Sequence, residues 1–379
     1  MKLQIEVEST DGAARAGVVR TPRGEIRTPV FMPVGTRGSI RSLTTEAFGR
    51  LAAADGTRGE VMLANTYHLM LRPGADTVEE LGGLHRFTGW DGHLLTDSGG
   101  YQVFSLEPKV NEEGVLFRST YDGDRHLFTP ESAVAVQEQL GADIQMVLDV
   151  CPPLPSERKV LAEAVDRTAE WAQRARAVHR RREDQALFGI VQGGDLTDLR
   201  AESARRTVEL DFDGYAVGGL SVGETREAML PALAAALEHL PADQPRYLMG
   251  VGDPLSIVDA VQLGVDMFDC VLPTRLARHA TLLTDEGRLN IKRAEFARSD
   301  EPVQAGCPCD TCRRCSRGYL RHLASLREPV AATLCTVHNL TWTFTLVGRI
   351  RRAIAEGTLS ALRAELATSW SDTGPGLNP

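Results

Sequence analysis

The sequence predicts an α/β fold, a (β/α)8 barrel of the TIM type, and three observations predict it. Eight short apolar runs recur along the chain, helix-like segments separate most of them, and each run ends in a residue suited to chemistry or close ligand approach. The runs cover residues 30–34, 60–65, 93–97, 143–149, 186–192, 214–219, 245–250 and 265–270. Continuous apolar runs of this length are what parallel strands, buried on both faces, look like in sequence. A parallel barrel puts every strand's C-terminal end on one face, where such barrels do their chemistry. That face would gather Asp97, Asp149, Gln192, Gly218, Gly219, Met249, Gly250 and Asp269.

The connecting segments carry helix signals. Thr129 can cap a helix with Pro130 at its first position and Gly141 past its end, leaving Ala133, Val136 and Leu140 on one face. Ser156 opens a long helix to about Arg182, with Leu161, Val165, Trp171 and Val178 to pack. Asp253 and Pro254 start another, with Ile257, Val258 and Val261 inward and Gly264 as terminator. Two segments break the alternation. Residues 104–129 read as a hairpin insertion after strand three, with turns at Glu112-Glu113-Gly114 and Tyr121-Asp122-Gly123-Asp124. Residues 273–338 read as a zinc-binding subdomain inserted after strand eight that holds the cysteine cluster, with the eighth helix following at 339–356. The tail 371–379 reads as disordered, and residues 1–379 as one catalytic domain.

Composition is globular, with 42% hydrophobic and 25% charged residues in 379. A formal charge of −9 excludes a generally basic nucleic-acid binder. Residues 275–321 nevertheless hold ten Lys and Arg against six Asp and Glu, a local basic surface. The first ten residues alternate in polarity without the apolar region of a signal peptide. No run approaches the roughly 18 apolar residues of a membrane span, so a cytoplasmic protein without a membrane partner is expected. Seven cysteines are too unevenly placed for a disulfide framework. Cys307, Cys309 and Cys312, with His338 downstream, make the three-thiolate, one-imidazole set that tetrahedral zinc takes. Cys315 and Cys335 are rival ligands.

At the mouth, Asp97 is followed by Ser98, Gly99 and Gly100, whose backbone can approach a ligand closely. Tyr101 offers a flat face for a ring, and Met249 could pack on the other side. Asp269 is a second strand-end carboxylate, able to attack an anomeric carbon. Asp149 and Gln192 together could read the donor and acceptor edge of a purine-like base, and Gly218, Gly219 and Leu220 offer backbone groups. The same residues could serve the fold alone. Asp97 could cap a turn, Asp269 could pair with Arg275 or Arg278, and Asp149 and Gln192 could bond within the barrel.

Over nearly its whole length the chain resembles the bacterial tRNA-guanine transglycosylase (queuine tRNA-ribosyltransferase) family. The resemblance lies in residues 96–106 (TDSGGYQVFSL), 189–194 (GIVQGG), 216–224 (AVGGLSVGE), 247–253 (YLMGVGD), 266–275 (DMFDCVLPTR), the Cys-x-Cys-x2-Cys set and the downstream 336–339 (TVHN). It implies exchange of guanine at the wobble position of tRNAs with a GUN anticodon for 7-aminomethyl-7-deazaguanine (preQ1). By the resemblance, Asp269 is the nucleophile and Asp97 the general acid and base. Ser98, Gly99, Gly100, Asp149, Gln192, Gly218 and Gly219 belong to the base pocket, with Tyr101 and Met249 stacking. The Leu220 carbonyl, oriented by Glu224, receives the aminomethyl group, and Cys151 and Val222 match the bacterial pocket. Gly250, Val251, Gly252, Asp253, Pro254, Leu255 and Ser256, with Thr274, Arg275, Leu276, Ala277 and Arg278, contact the anticodon loop. One structural Zn2+ per subunit sits on Cys307, Cys309, Cys312 and His338, and two subunits form a homodimer on one tRNA. Three positions depart from the family's pattern. Val150 stands where bacterial members usually carry glutamate, which would change the pocket's charge or hydrogen bonding. Ser221 replaces a common alanine, and Arg278-His279-Ala280 replaces Arg-Asn-Gly. A non-catalytic partner subunit is disfavoured by the two aspartates, and a zinc hydrolase by a Cys/His set outside the strand pattern.

Overall fold

The computed structural model describes residues 3–106 and 109–370. It begins with an antiparallel sheet of β1 (Ile5–Asp11), β2 (Ala14–Thr21) and β3 (Gly24–Thr28). The barrel follows with β4 (Val30–Pro33), β5 (Val61–Ala64) and β6 (His93–Thr96). A three-stranded insertion holds β7 (Lys109–Val110), β8 (Val115–Arg118) and β9 (Arg125–Phe128). The barrel resumes with β10 (Ile144–Met146), β11 (Ala186–Val191), β12 (Gly214–Val217), β13 (Arg246–Leu248) and β14 (Met267–Cys270). A hairpin of β15 (Thr281–Thr284) and β16 (Gly287–Asn290) comes last.

The eight barrel strands pair in parallel in the order β4-β14-β13-β12-β11-β10-β6-β5, and a parallel bridge between Val34 and Leu63 joins the two ends. Each coincides with one of the expected runs. Every residue of β4, β5, β6, β10, β11 and β12 is buried, which is why these strands read as continuous apolar runs. Asp97, Asp149, Gln192, Gly219 and Gly250 lie one to three residues beyond the last paired residue of their strands. They therefore stand on loops rooted in a rigid sheet.

The N-terminal sheet was not expected from sequence. It is tied to the opposite end of the barrel by Arg15 of β2. Its Nε and Nη2 donate to the two carboxylate oxygens of Asp266 at 2.8 and 2.6 Å, and Nη2 also donates to the Gln244 carbonyl. Both side chains are buried, so the pair depends on this bidentate geometry to offset its desolvation.

Thr129 and Ser132 form a reciprocal capping box on the helix Pro130–Leu140, which Gly141 ends at φ 71°. Asp253 caps Pro254–Gln262, its Oδ1 accepting from the Ser256 N–H at 2.9 Å. The long helix is shorter than expected, Arg158–Val178, because the Ser156 hydroxyl bonds back to the Pro153 carbonyl instead of capping. The eighth helix is longer, Pro329–Glu356, beginning ten residues before the expected start with Pro329 at its first turn. By length and composition alone it could cross a membrane, yet 72% of its apolar window is buried inside the fold. It is a core helix. A further helix, Leu359–Trp370, follows Gly357, and buried Trp370 packs on Trp342 with ring centroids 5.3 Å apart. The expected disordered tail, 371–379, lies outside the described residues.

Residues 273–338 carry a second small core of Leu282, Ile291, Phe296, Val303 and Leu320. Ala280, where the resemblance leads one to expect glycine, has φ 61°, a left-handed conformation that costs a non-glycine residue roughly 1–2 kcal/mol.

Candidate active site

A cavity of about 400 Å3 opens at the C-terminal ends of the barrel strands. Seven strands reach its wall through Val34, Leu63, Asp97, Asp149, Gly218, Met249 and Asp269. The eighth, β11, contributes from behind, where the Gln192 Nε2 donates to Asp149 Oδ2 at 2.6 Å.

Asp97 is held by three donors. Its Oδ2 accepts from Asn65 Nδ2 at 2.5 Å, and its Oδ1 from the Thr66 and Gly99 N–H groups at 2.9 and 3.0 Å. The capping alternative thus holds in part, since Thr66 opens the helix Thr66–Leu71. Burial nevertheless pushes the carboxyl up to about 7, with the neighbouring Asp269 adding to the rise. Gly99 makes the turn possible at φ 76°, where an added Cβ would also lie 3.1 Å from the Tyr67 nitrogen.

Asp269 bonds to Tyr247 and Gly250 rather than to an arginine. Its Oδ1 accepts from the Tyr247 hydroxyl at 2.6 Å and the Gly250 N–H at 2.8 Å. Burial raises its carboxyl pKa, and these two donors oppose the rise. No hydrogen bond engages Oδ2 among the described residues.

Asp149 Oδ1 accepts from the Ser98 hydroxyl at 3.1 Å, and the Ser98 oxygen accepts in turn from the Gly100 N–H at 3.1 Å. Gly219 has φ 64°, and an added Cβ would meet Gln192 Oε1 at 2.4 Å, so only glycine fits beside that amide. Glu224 lies beneath the loop, its carboxylate accepting from the Ser221 and Val222 N–H groups. Cys151 lines the cavity as a neutral thiol, pushed up to about 12 by burial. Tyr101 is 54% exposed at the rim and Met249 is half-buried in the wall. Val150 was expected to alter the pocket's polarity. Instead its side chain is buried in an apolar cluster with Val103, Phe117 and Trp171, its N–H donates to the Thr168 hydroxyl, and it is absent from the cavity wall.

Of the residues expected to meet RNA, Gly250 is exposed, whereas Val251, Gly252, Asp253, Pro254, Leu255 and Ser256 are buried. They form the capped helix start, with Gly252 and Asp253 also in the cavity wall. Thr274, Leu276 and Ala277 are buried too, leaving Arg275 and Arg278 half-exposed. Sequence reasoning missed Arg288 of β16, which lines the cavity with its Nε lacking any acceptor among the described residues. It also missed Asn65 and Tyr247, which orient the two aspartates.

Cys307, Cys309, Cys312 and His338 bring their ligand atoms within 4.8 Å of one another, a set able to hold a metal ion. The three Sγ atoms lie 3.7, 3.7 and 3.3 Å from His338 Nδ1. His338 Nε2 lies 2.8 Å from the Leu283 carbonyl, so it carries the proton there and leaves the Nδ1 lone pair facing the thiols. Cys315 and Cys335 are outside this set, packed against the subdomain core. None of the four ligands lines the cavity. The next residue, Asn339, accepts from the Leu283 N–H and donates to the Pro273 and Thr281 carbonyls, fixing β15 to the core helix.

The family model described as queuine tRNA-ribosyltransferase matches residues 10–372. A queuine tRNA-ribosyltransferase of Symbiobacterium thermophilum is 51% identical over 360 residues, covering 94% of this chain and 88% of that protein. One of Desulforamulus reducens is 48% identical over 96% of this chain and 97% of its own, and one of Solidesulfovibrio magneticus 51% over 96% of each. With a match across nearly its full length and relatives at half identity, the chain belongs to the queuine tRNA-ribosyltransferase family.

Proposed function

We propose that this protein exchanges the wobble guanine of GUN-anticodon tRNAs for 7-aminomethyl-7-deazaguanine through a covalent ribosyl intermediate. The observation that carries this reading is the pair of carboxylates, Asp97 and Asp269, from different strands on one base-sized cavity. The wobble base must leave its stack to enter such a pocket. Asp269 Oδ2 attacks C1′ of the ribose while its other oxygen is held by Tyr247 and Gly250. The C1′–N9 bond breaks, its electron pair leaves with guanine, and protonated Asp97 supplies the proton. The incoming base gives its N9 proton to Asp97 and displaces Asp269 from C1′. Inversion occurs twice, so the sugar keeps its configuration.

Asp149 can only accept as a carboxylate, which suits the N1–H and 2-amino donors of guanine. The trans peptide between Leu220 and Ser221 sets the Leu220 carbonyl opposite the Ser221 N–H. Since Glu224 takes that N–H from below, the carbonyl is turned toward the cavity as an acceptor for an aminomethyl ammonium. A tRNA preloaded with labelled guanine tests this choice. We expect the aminomethyl base to displace the label and queuine to leave it in place. Displacement by queuine would make the enzyme a salvage type.

Tyr247→Phe removes one of the two donors that favour ionised Asp269. Its pKa then rises further, the acid limb of kcat/KM against pH moves to higher pH, and neutral-pH turnover falls about 10–100-fold, the worth of a hydrogen bond to a charged group. An unmoved acid limb counts against Tyr247 as a partner of the working carboxylate.

The whole chain acts as one catalytic domain in this reading, working as a homodimer with residues 273–338 as its inserted subdomain. Zinc fits the metal set, since thiolate and imidazole ligands on tetrahedral zinc lie about 3.6 Å apart. Bound there, it would fasten the subdomain to the core helix and thereby steady Arg288 at the cavity. Removing metal with a chelator should lower the melting temperature, and added Zn2+ should restore it. Lost turnover at unchanged melting temperature would indicate a catalytic metal instead.

A further inference from the structure

Arg200 is a buried cation directly behind the base pocket, and the reaction scheme above leaves it without a task. It lies in the helix Thr197–Val208 and is fully buried. Its Nε donates to the Gly194 carbonyl at 2.7 Å, Nη1 to those of Val191 and Gly218 at 2.9 and 2.6 Å, and Nη2 to that of Gly219 at 3.0 Å. No carboxylate lies within ion-pair distance of it among the described residues. Burial pulls its pKa down only to about 10, so it remains charged at neutral pH.

Two of the four carbonyls belong to the loop lining the cavity, and their direction fixes what that loop presents. In a trans peptide the C=O of one residue and the N–H of the next point opposite ways. Arg200 takes the Gly218 and Gly219 carbonyls from beneath, so the N–H groups of Gly219 and Leu220 are turned away from it. Gly218, Gly219 and Leu220 line the cavity and Arg200 does not. Neither of these N–H groups has an acceptor among the described residues. The following peptide is reversed, because Glu224 holds the Ser221 N–H. One cation and one carboxylate below the loop thus set the sequence N–H, N–H, C=O along its upper face.

We propose that Arg200 is a positioning residue that aims the Gly219 and Leu220 N–H groups at the 6-oxo group of the bound purine and backs them with its positive charge. This rests on the base-exchange reading. Asp149 takes the donors of the base, which leaves the 6-oxo acceptor for the N–H pair. When the C1′–N9 bond breaks, the departing base carries the electron pair, and the ring spreads negative charge toward that oxygen. Preset donors at the site of developing charge stabilise it more than they stabilise the neutral base. Arg200 therefore acts on both base affinity and the rate of base departure.

The test compares guanine with 2-aminopurine in wild type, Arg200→Lys and Arg200→Met. The analogue lacks the 6-oxo group and with it the N1–H that Asp149 takes, so the readout is the ratio of variant to wild type for each base. Folding is checked by melting temperature and tRNA affinity. The expected result is an increase of about tenfold or more in KM for guanine and a comparable fall in kcat, in line with losing one preset donor. The inhibition constant of 2-aminopurine and the tRNA affinity should change less than about twofold, with Arg200→Lys intermediate on guanine. Equal losses for guanine and 2-aminopurine would reduce Arg200 to a fold element and overturn the proposal. A measurement on the wild type alone guards against variants that fail to fold: binding of 2-aminopurine as tight as that of guanine also overturns it. Failure of the underlying reading shows separately, as a wild type that binds guanine but does not exchange it into tRNA.

Discussion

Asp269→Ala is expected to abolish exchange of labelled guanine into tRNA, by a factor of about 10⁴ or more, the scale of losing an enzyme's nucleophile. The fold should survive the change. Asp269 is a half-buried carboxylate whose pKa desolvation raises, and among the described residues only two donors hold it, neither a cation. Removing it relieves a desolvated charge, at the expense of leaving the Tyr247 hydroxyl and the Gly250 N–H to water in an open cavity. The variant should also lose the protein–RNA adduct that resists denaturation. The measurement is initial rate together with adduct formation on a gel, at a matched melting temperature. Exchange at the wild-type rate would remove Asp269 from the mechanism.

Asp97→Asn is expected to retain tRNA binding and to lose exchange by about 10²–10⁴-fold, the range of a general acid and base. The pH dependence gives a second signature. In the proposed mechanism, departure of guanine needs protonated Asp97 and ionised Asp269. With Asp97 pushed up to about 7, kcat/KM for tRNA should fall as pH rises through that value. The asparagine variant has no such alkaline limb. Stability follows the same sign. A carboxyl whose pKa is higher in the folded state binds its proton more tightly there, so its contribution is fully present below the unfolded value near 4 and is lost as pH rises through about 7. Wild type should therefore lose stability over that window through this group, and Asp97→Asn should not. Undiminished turnover in Asp97→Asn would separate Asp97 from proton transfer.

The barrel was legible because burial on both faces leaves the strands no polar face to show. The N-terminal sheet was not, since β1 is mostly exposed and half-exposed in the pattern of its seven residues, and it lacks the strict alternation that marks a strand. Nor could sequence show that Arg15 reaches Asp266, 251 positions away. The two aspartates and the pocket carboxylate stood out as charges at the ends of apolar runs. Their supports did not. Tyr247 reads as one more buried strand aromatic until the pairing of β13 with β14, Leu248 opposite Phe268, sets its hydroxyl beside Asp269. Arg200 reads as a solvated helix residue among the charges of residues 197–208, and only its burial reveals otherwise. Spacing named the four residues able to hold a metal but left Cys315 open, a choice that needed the position of His338 on the core helix.

Locating the covalent link decides whether the ribose is carried on Asp269. The intermediate is trapped by denaturing the enzyme with tRNA in the absence of an incoming base, both polymers are digested, and the modified peptide is sequenced by mass spectrometry. The expected result is a ribosyl adduct on the peptide containing residues 266–275, at Asp269. An adduct at Asp97, or exchange that proceeds with no adduct on any residue, would contradict it.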